Sequence, residues 1–431
     1  MNNLNKYIII KTLGCKLNFS ESATIEQKFI EKGFVCGNNE ELADAYIINT
    51  CAVTETAEKK CKQLIRHIKD VNPHCIIALI GCFSALEQCQ SLKDDVDIIL
   101  GNHNKLTIVE EIHKLLINNK INASLDVNLD TFFSSYSIHE RTRSFLKIQD
   151  GCDYHCSYCT VCIARGKSRS DSVENIIKNA QDIINHGITE IILSGVNIGD
   201  FKTSKGEDFE YLLRTLEQLE GLQRIRISSI EPNLLTDNII EMVQKSNIIL
   251  PHFHIPLQSG NNRILKLMRR RYPKELFAEK VNKIRSSIPH ACIAADVIVG
   301  FPSETDKDFE ETYQFLESLS VNMLHVFPYS QRPNTPAATM DLQCSPNIKS
   351  KRTKALIELS NNKKKAFYQL NKGKIYPVLI EHKVENNYLY GFTPNYIKVK
   401  IANQPEYIGK IIKVELVDID KDNIYTTKII K

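Results

Sequence analysis

From Tyr7 to about Gly101 the sequence alternates short apolar runs with stretches of helical period. Between Ala57 and Val71 the apolar residues recur every three or four positions, which is typical of one face of a helix. Strands and helices in alternation form a parallel sheet covered by helices on both faces. The pattern therefore predicts an N-terminal doubly wound α/β domain, with strands at Tyr7–Leu13, Ala45–Asn49, Cys75–Ile80 and Asp97–Leu100.

A second alternating series begins at Phe145 and contains six candidate strands. Six strand–helix units predict a partial (β/α)6 barrel, since the closed form of this parallel barrel needs eight. Some strands alternate polar with apolar residues, as at Arg224, Arg226, His252 and His254, which predicts a lumen that holds a polar ligand. The candidate strands are Phe145–Gln149, Glu190–Leu193, Arg224–Ser229, His252–Leu257, Cys292–Val299 and Asn322–Phe327.

The C-terminal part of the chain differs in pattern from both α/β series. Residues 347–372 are rich in lysine and predict a helix. Short β-branched and aromatic runs follow from Lys374 onward, which predicts a small all-β barrel. A polar stretch from Asn118 to His139 predicts a linker after the first domain. The expected domains are residues 1–120, 138–365 and 366–431.

Composition and charge restrict the class of protein. The longest nearly unbroken apolar run, Cys75 to Phe83, is too short to cross a membrane, and the N-terminus lacks the order of a secretory signal. A cytoplasmic protein with no membrane partner is therefore expected. Residues 361–431 carry 13 lysines against seven acidic residues. This excess of positive charge predicts a nucleic-acid-binding appendage, with a solvated lysine-rich face as the alternative.

Thirteen cysteines in a chain without a secretory signal favour metal binding over disulfides. Cys152, Cys156 and Cys159 follow the first predicted barrel strand, at the end where parallel barrels carry their chemistry. Three thiolates at this spacing can hold three irons of a [4Fe-4S] cluster and leave the fourth iron open to a small molecule. Structural zinc is the alternative, with His155 or Cys162 as the fourth ligand.

Three further cysteines each follow a predicted strand of the N-terminal sheet. They are Cys15, Cys51 and Cys82, and glycine precedes the first and the last of them, which permits tight turns. The carboxyl ends of parallel strands share one edge of the sheet, so we expect these three thiols to lie close together. Three such thiolates could bind a second cluster with one open iron. Their spacing by itself forms no recognised local motif.

These motifs together resemble the radical S-adenosylmethionine methylthiotransferases. The resemblance rests on the Cys152, Cys156, Cys159 triplet with Tyr158 before its last member, and on the stretches Thr12-Leu-Gly-Cys-Lys-Leu-Asn18, Ala164-Arg-Gly-Lys-Ser-Arg-Ser170 and Leu193-Ser-Gly-Val-Asn197. It covers essentially all 431 residues. It implies an N-terminal methylthiotransferase domain, a central radical S-adenosylmethionine core and a C-terminal TRAM-like RNA-binding domain.

Within the family, Lys16 and Thr54 resemble the branch that methylthiolates carbon 2 of N6-threonylcarbamoyladenosine next to the tRNA anticodon. The branch acting on isopentenyladenosine usually reads Gly-Cys-Gln-Met-Asn at the first cysteine and is the alternative substrate class. A non-catalytic iron–sulfur protein that binds tRNA is the alternative outside the enzymes. The chain departs from the family at Cys162, in a segment that usually contains proline, and we expect this thiol to be a passive neighbour of the cluster.

The resemblance also implies cofactors, partners and site residues. Two [4Fe-4S] clusters are expected, one on Cys152, Cys156 and Cys159 and one on Cys15, Cys51 and Cys82, together with S-adenosyl-L-methionine. The implied partners are the anticodon loop of tRNA and an electron donor such as flavodoxin or ferredoxin. The residues expected to border S-adenosylmethionine are Tyr158, Ser194, Gly195, Asn197, Glu231 and Arg169, with Arg165 close by.

Overall fold

A computed structural model describes residues 6–52, 55–118, 132–138 and 142–430. The N-terminal domain is a five-stranded parallel sheet in the order β2-β1-β3-β4-β5. The four predicted strands are all present, and a short edge strand, β2, was not predicted. Most of the predicted linker lies outside the described residues. The elements are β1 (Tyr7–Thr12), α1 (Lys16–Glu31), β2 (Val35–Cys36), β3 (Ala45–Thr50), α2 (Glu55–Val71), β4 (Ile76–Gly81), β5 (Ile98–Leu100) and α3 (Ile108–Asn118).

The central domain contains the six predicted parallel strands, β7, β10, β11, β12, β13 and β14. They form two sheets, joined by bridges between Ile225 and Ile249 and between Ser229 and His254. The strands are β6 (Ser135–Tyr136), β7 (Arg143–Lys147), β8 (Gln149–Asp150), β9 (Arg169–Ser170), β10 (Glu190–Ser194), β11 (Arg224–Ile227), β12 (His252–Gln258), β13 (Cys292–Val299) and β14 (Met323–Pro328). The helices are α4 (Val161–Arg165), α5 (Val173–Asn185), α6 (Phe209–Leu216), α7 (Asp237–Lys245), α8 (Asn262–Leu267), α9 (Lys274–Ser287), α10 (Asp306–Ser318) and α11 (Pro346–Gln369).

The partial barrel and the helices around it bury one continuous apolar core. The apolar face of each helix supplies it: on α5 the buried residues Val173, Ile176, Ala180 and Ile183 recur at helical spacing. Ser172 ends the preceding loop and its hydroxyl accepts the backbone N–H of Asn175, which caps the helix. The sequence pattern thus produces the partial (β/α)6 barrel that it predicts.

The C-terminal domain is a closed five-stranded barrel in the order β15-β16-β17-β19-β18. Its strands are β15 (Ile375–Glu385), β16 (Tyr388–Phe392), β17 (Lys398–Ala402), β18 (Ile411–Ile419) and β19 (Tyr425–Ile429). Alternate residues of the strands, such as Leu389, Val399 and Val414, fill its interior. The prediction of a small all-β barrel is confirmed. No helix among the described residues has the length and apolar character needed to span a membrane.

The polar face of the barrel strands has a partner other than the predicted ligand. Arg224 donates to the backbone oxygen of Pro377 at 2.5 Å, and His252 stacks on the ring of Tyr396 with the centroids 4.3 Å apart. The guanidinium of Arg226 lies over the same ring. The prediction of a ligand at Arg224, Arg226 and His252 is therefore wrong, because the C-terminal barrel covers these residues at the N-terminal ends of the strands.

Candidate functional site

The loop that carries the cysteine triplet lies between β8 and α4, at the carboxyl end of the first barrel strand. It begins at Gly151, which has a φ of 71°. A Cβ at this position would lie 1.9 Å from the backbone oxygen of Lys167, so no residue with a side chain fits there. The start of the loop is thereby held against the backbone that follows α4, where the N–H of Cys152 donates to the backbone oxygen of Gly166 at 3.1 Å.

Each of the three sulfurs accepts a hydrogen bond from an N–H group. The backbone N–H of Tyr154 donates to Cys152 at 3.4 Å, and the backbone N–H of Val161 donates to Cys159 at 3.4 Å. Arg270 donates to Cys156 at 3.1 Å. Donors directed at three neighbouring sulfurs suit thiolates that ligate an iron–sulfur cluster.

Two of these thiols have raised pKa values and would need a bound cation to be thiolates at neutral pH. Burial raises the pKa of Cys159 to about 12, and burial raises the pKa of Cys156 although the charge of Arg270 opposes it. A metal ion or cluster would hold such sulfurs as thiolates at neutral pH. A hydrogen bond from Cys152 lowers the pKa of Cys162 to about 6, so this fourth thiol lies beside the triplet.

Cys15, Cys51 and Cys82 lie together at the carboxyl edge of the N-terminal sheet. Gly14, with a φ of 116°, keeps the first turn close to the second: a Cβ on Gly14 would lie 3.0 Å from Cys51 Sγ. Cys15 is the N-cap of α1, and its pKa is raised by burial and, to a smaller extent, by the neighbouring Cys82. Asn18 donates to the backbone oxygens of Leu13 and Thr50, which ties two of the three turns together.

Arg165, at the end of α4, connects the two groups of cysteines. Its Nε donates to Cys82 Sγ at 3.1 Å, and its Nη2 donates to Asn18 Oδ1 at 2.8 Å. Its Nη1 donates to Glu21 of α1 at 3.0 Å and to Asp150 at 2.9 Å. Arg165 is 1% exposed. The predicted cofactor neighbour is therefore a buried link between the N-terminal domain and the barrel.

The turn after β10 is organised by Gln149, which sequence reasoning did not single out. Gln149 Oε1 accepts the backbone N–H groups of Val196 and Asn197, both at 2.9 Å. A Cβ on Gly195 would lie 2.9 Å from the same oxygen. Asn197 is 3% exposed, and neither polar atom of its amide has a hydrogen-bond partner within 3.5 Å among the described residues. Buried polar groups without partners suit a ligand that would satisfy them.

A cavity of about 270 Å³ adjoins the triplet. Tyr158 and Cys159 line one side, and Gln258, Asp296 and Tyr329 line the others. It is large enough for part of a nucleoside-sized ligand and opens at the carboxyl ends of the barrel strands.

The remaining predicted cofactor residues have protein partners. Glu231 forms an ion pair with Arg270, and burial raises the pKa of this carboxyl against the effect of that guanidinium. Arg169 donates to Asp150 at 3.2 Å and to the backbone oxygen of Arg165 at 2.7 Å. The hydroxyl of Ser194 donates to the backbone oxygen two residues earlier. Of these three residues, Arg169 keeps one buried polar atom, Nε, without a hydrogen-bond partner among the described residues.

Comparison with known proteins decides the family. The chain matches the model of the Radical SAM superfamily over residues 146–316 and that of Uncharacterized protein family UPF0004 over residues 7–101. It is 38% identical to threonylcarbamoyladenosine tRNA methylthiotransferase MtaB of Bacillus subtilis, over 95% of this chain and 93% of the relative. This chain belongs to the radical S-adenosylmethionine methylthiotransferase family.

Other relatives agree on the family and differ in the substrate that their names give. A tRNA-2-methylthio-N(6)-dimethylallyladenosine synthase of Carboxydothermus hydrogenoformans is 34% identical over 96% of both chains. Among solved structures, the radical S-adenosylmethionine methyltransferase TsrM of Kitasatospora setae matches 78% of this chain and 77% of its own, with a TM-score of 0.56 and 11% identity, which shows a common fold. Membership in the radical S-adenosylmethionine superfamily implies one [4Fe-4S] cluster and S-adenosylmethionine.

The sequence pattern of this methylthiotransferase does not predict the side chains that hold the cysteines and Arg165 in place. Arg270 reaches Cys156 from 114 positions away in the chain, and Glu21 reaches Arg165 from 144 positions away. The sequence predicts Gln149 only as the last residue of a strand. A signal existed only for Arg165, which lies in the quoted stretch Ala164-Arg-Gly-Lys-Ser-Arg-Ser170.

Proposed function

We propose that this chain methylthiolates carbon 2 of N6-threonylcarbamoyladenosine next to the anticodon of tRNA. The observation that carries the proposal is the link made by Arg165, which joins the helix after the cysteine triplet to Cys82 of the second trio. Two groups of cysteines connected through one buried guanidinium suit a reaction that must both activate a carbon and deliver sulfur to it. The named relative of 38% identity supports the substrate.

The residues of the chain divide between two cluster sites. Cys152, Cys156 and Cys159 would hold the first cluster, and Cys15, Cys51 and Cys82 would hold the second. When bound, the first cluster and S-adenosylmethionine supply reductive cleavage of a carbon–sulfur bond and hydrogen removal at an unactivated carbon, with an electron from a donor such as flavodoxin or ferredoxin.

The protein groups around these sites position the cofactor and exclude water. Asn197 would donate to and accept from S-adenosylmethionine, because neither polar atom of its buried amide has a hydrogen-bond partner within 3.5 Å among the described residues. Gln149 holds the turn that presents this amide. Tyr158 would pack against the ligand in the adjoining cavity, where its ring already makes an edge contact with Phe301 at 6.4 Å.

A second candidate substrate is the isopentenyl-bearing adenosine of the dimethylallyladenosine synthases. The relative of that name covers this chain as completely as the first and is four percentage points less identical, 34% against 38%. The chemistry at the two cluster sites would be the same for either substrate, so the choice rests on the groups that contact the adenosine substituent.

Nucleoside mass spectrometry of bulk tRNA, from cells with and without this gene, tests the function. We expect loss of the methylthio form of threonylcarbamoyladenosine and accumulation of its unmodified parent. Loss of the methylthio form of isopentenyladenosine would assign the enzyme to the second substrate. No change in either nucleoside would contradict a role in tRNA methylthiolation.

For tRNA binding, the C-terminal barrel offers lysines that are exposed and have no ion pair among the described residues. Lys374, Lys410 and Lys413 belong to this group. Other lysines of this C-terminal part are engaged: Lys400 forms an ion pair with Asp420, and Lys363 donates to backbone oxygens at the end of α10. The exposed lysines would contact phosphates of the tRNA.

Reversing the charge of two of these lysines should weaken tRNA binding. We expect Lys410→Glu/Lys413→Glu to raise the Kd for tRNA by about 10- to 100-fold near 0.1 M salt and to lower the salt dependence of binding. A filter-binding titration at several salt concentrations measures both. Lys178→Glu/Lys205→Glu is the matched control, because both lysines are exposed in the central domain and have no ion pair among the described residues. Equal affinities for the double variant and this control would contradict the proposed surface.

A further inference from the structure

Three side chains of the kinds that bind metal ions meet inside the central barrel, apart from the two groups of cysteines. They are His254 of β12, Asp296 of β13 and His325 of β14. One nitrogen from each imidazole and one oxygen from the carboxylate all lie within 4.8 Å of one another. These three atoms are close enough together to share a single metal ion.

The register of three adjacent parallel strands brings these side chains together. β13 lies between β12 and β14, and it pairs Ala294 with His254 and Asp296 with His325. Paired residues of neighbouring strands lie on the same face of a sheet, and so do residues two positions apart along one strand. All three side chains therefore share the face of the sheet that lines the lumen.

The contacts within the cluster leave one histidine without a polar partner. Asp296 Oδ1 lies 2.7 Å from His254 Nε2, which is a hydrogen-bond distance. The ring of His325 lies 5.0 Å from that of His254, between centroids, and is tilted by 51°. Among the described residues, His325 forms no hydrogen bond or ion pair of its own. Its ring nitrogens are therefore available to a ligand.

The cluster opens toward the cavity beside the cysteine triplet. Asp296 lines that cavity, and so does Phe327, which lies on the same face of β14 as His325. The side chains of His254 and Asp296 are 21% and 19% exposed, and His325 is also partly exposed. The C-terminal barrel covers His252 instead, nearer the N-terminal end of the same strand. An ion can therefore reach the three ligands from the cavity.

Two imidazoles and one carboxylate are a common ligand set for divalent transition metals, because imidazole nitrogen suits zinc and iron and the carboxylate supplies negative charge. We propose that His254, Asp296 and His325 bind one divalent ion of the zinc and iron class. Three protein ligands leave at least one coordination position open. Here the open position faces the cavity, where it would take an oxygen donor such as water or an oxygen of a bound ligand.

The separations of the ligand atoms suit such an ion after a small adjustment. In a tetrahedral site with bonds of about 2.0 to 2.1 Å, the ligand atoms lie about 3.3 Å from one another. The contact between His254 and Asp296, at 2.7 Å, is slightly shorter than this, and the longest separation in the cluster is at most 4.8 Å. Rotation of the His325 side chain would supply most of the change, since no hydrogen bond to another described residue restrains it.

Equilibrium dialysis of the iron-loaded enzyme against Zn²⁺ tests the proposal, with zinc and iron both measured by plasma mass spectrometry. Unchanged iron content shows that zinc has not displaced iron from the cysteines. We expect about one zinc per chain, with an X-ray absorption spectrum that shows nitrogen and oxygen ligands at about 2.0 to 2.1 Å and no sulfur near about 2.3 Å. Failure to bind zinc, or a zinc shell that contains sulfur, would overturn the proposal.

Two variants locate the ion in the cluster. Asp296→Asn keeps the shape of the side chain and removes its charge, whereas His325→Phe keeps a ring and removes both nitrogens. Each should raise the Kd for Zn²⁺ by at least about 100-fold, because even residues that only orient a metal ligand typically contribute about 10- to 100-fold. Native iron content in either variant shows that the chain has folded.

A second histidine–aspartate pair of the chain provides the matched control. His186 Nδ1 lies 3.7 Å from Asp182 on the exposed side of α5, and no third ligand of the kinds that bind metal joins this pair among the described residues. His186→Phe should bind zinc as tightly as the native chain does. Equal zinc affinities for this control and for Asp296→Asn and His325→Phe would overturn the proposal. Such a result would leave the proposed function intact, since the nucleosides of tRNA test that function separately.

Discussion

Cys159→Ala is expected to abolish both 5′-deoxyadenosine formation and methylthiolation, by at least about a thousandfold, because the chemistry depends on the cluster as a unit. Cys82→Ala should behave differently. It should keep cleavage of S-adenosylmethionine to within about threefold of the native rate and lose the methylthio product, since the second trio lies outside the loop that carries the triplet. Chromatography of the nucleosides after single-turnover reactions measures both products.

Iron content separates the two sites. A chain with two clusters holds about eight irons, and either variant should hold about four. Cys162→Ala is the matched control for the triplet: its thiol lies beside Cys152 but is expected not to be a ligand. It should keep all the iron and the activity. Iron loss in Cys162→Ala as severe as in Cys159→Ala would contradict the assignment of the triplet, and unchanged iron in Cys82→Ala would contradict the second cluster.

The strands and the cysteines could be predicted from sequence because both depend on local pattern. Cys15, Cys51 and Cys82 each follow an apolar run, and parallel strands bring their carboxyl ends to one edge whatever the intervening helices contain. The structure places them there. Cys152, Cys156 and Cys159 lie in one short stretch of the chain. Their closeness in space could therefore be predicted without the fold.

The surroundings of the cysteines could not be predicted, because they depend on contacts between distant residues. Period-two alternation at Arg224 and Arg226 indicates a polar face, but it does not say whether a ligand or another domain covers that face. The C-terminal barrel covers it. Gln149 and Arg270 likewise act on groups that only folding brings near them.

Arg165→Met should destabilise the junction between the N-terminal domain and the barrel by about 3–5 kcal/mol, as expected when one partner of a buried ion network is removed. The guanidinium satisfies Glu21 and Asp150 together, and Lys147 and Lys105 share these carboxylates. Methionine fills the space and provides no donor. Differential scanning calorimetry should show a lower first transition, and the second trio should bind iron less tightly because Cys82 Sγ loses its hydrogen bond.

The pH dependence of this variant provides a check on the cause. Burial alone would raise the pKa of Glu21, but the charges of Arg165, Lys105 and Lys147 outweigh burial and hold that pKa below its usual value. The stabilisation is therefore complete above the unfolded pKa of about 4.3 and is lost as the pH falls toward the lowered value. The difference in stability between the native chain and Arg165→Met should be constant from about pH 6 to 8 and should shrink in acid.

Two further substitutions distinguish the network from a general loss of charge. Arg214→Met removes an exposed guanidinium on α6 and should change stability by less than about 0.5 kcal/mol. Arg165→Lys keeps the charge but cannot reach Cys82, Asn18 and both carboxylates at once, so it should recover only part of the lost stability. A fully stable Arg165→Met chain would contradict this role and show that other contacts, such as the ion pair of Lys147 with Glu21, hold the two domains together.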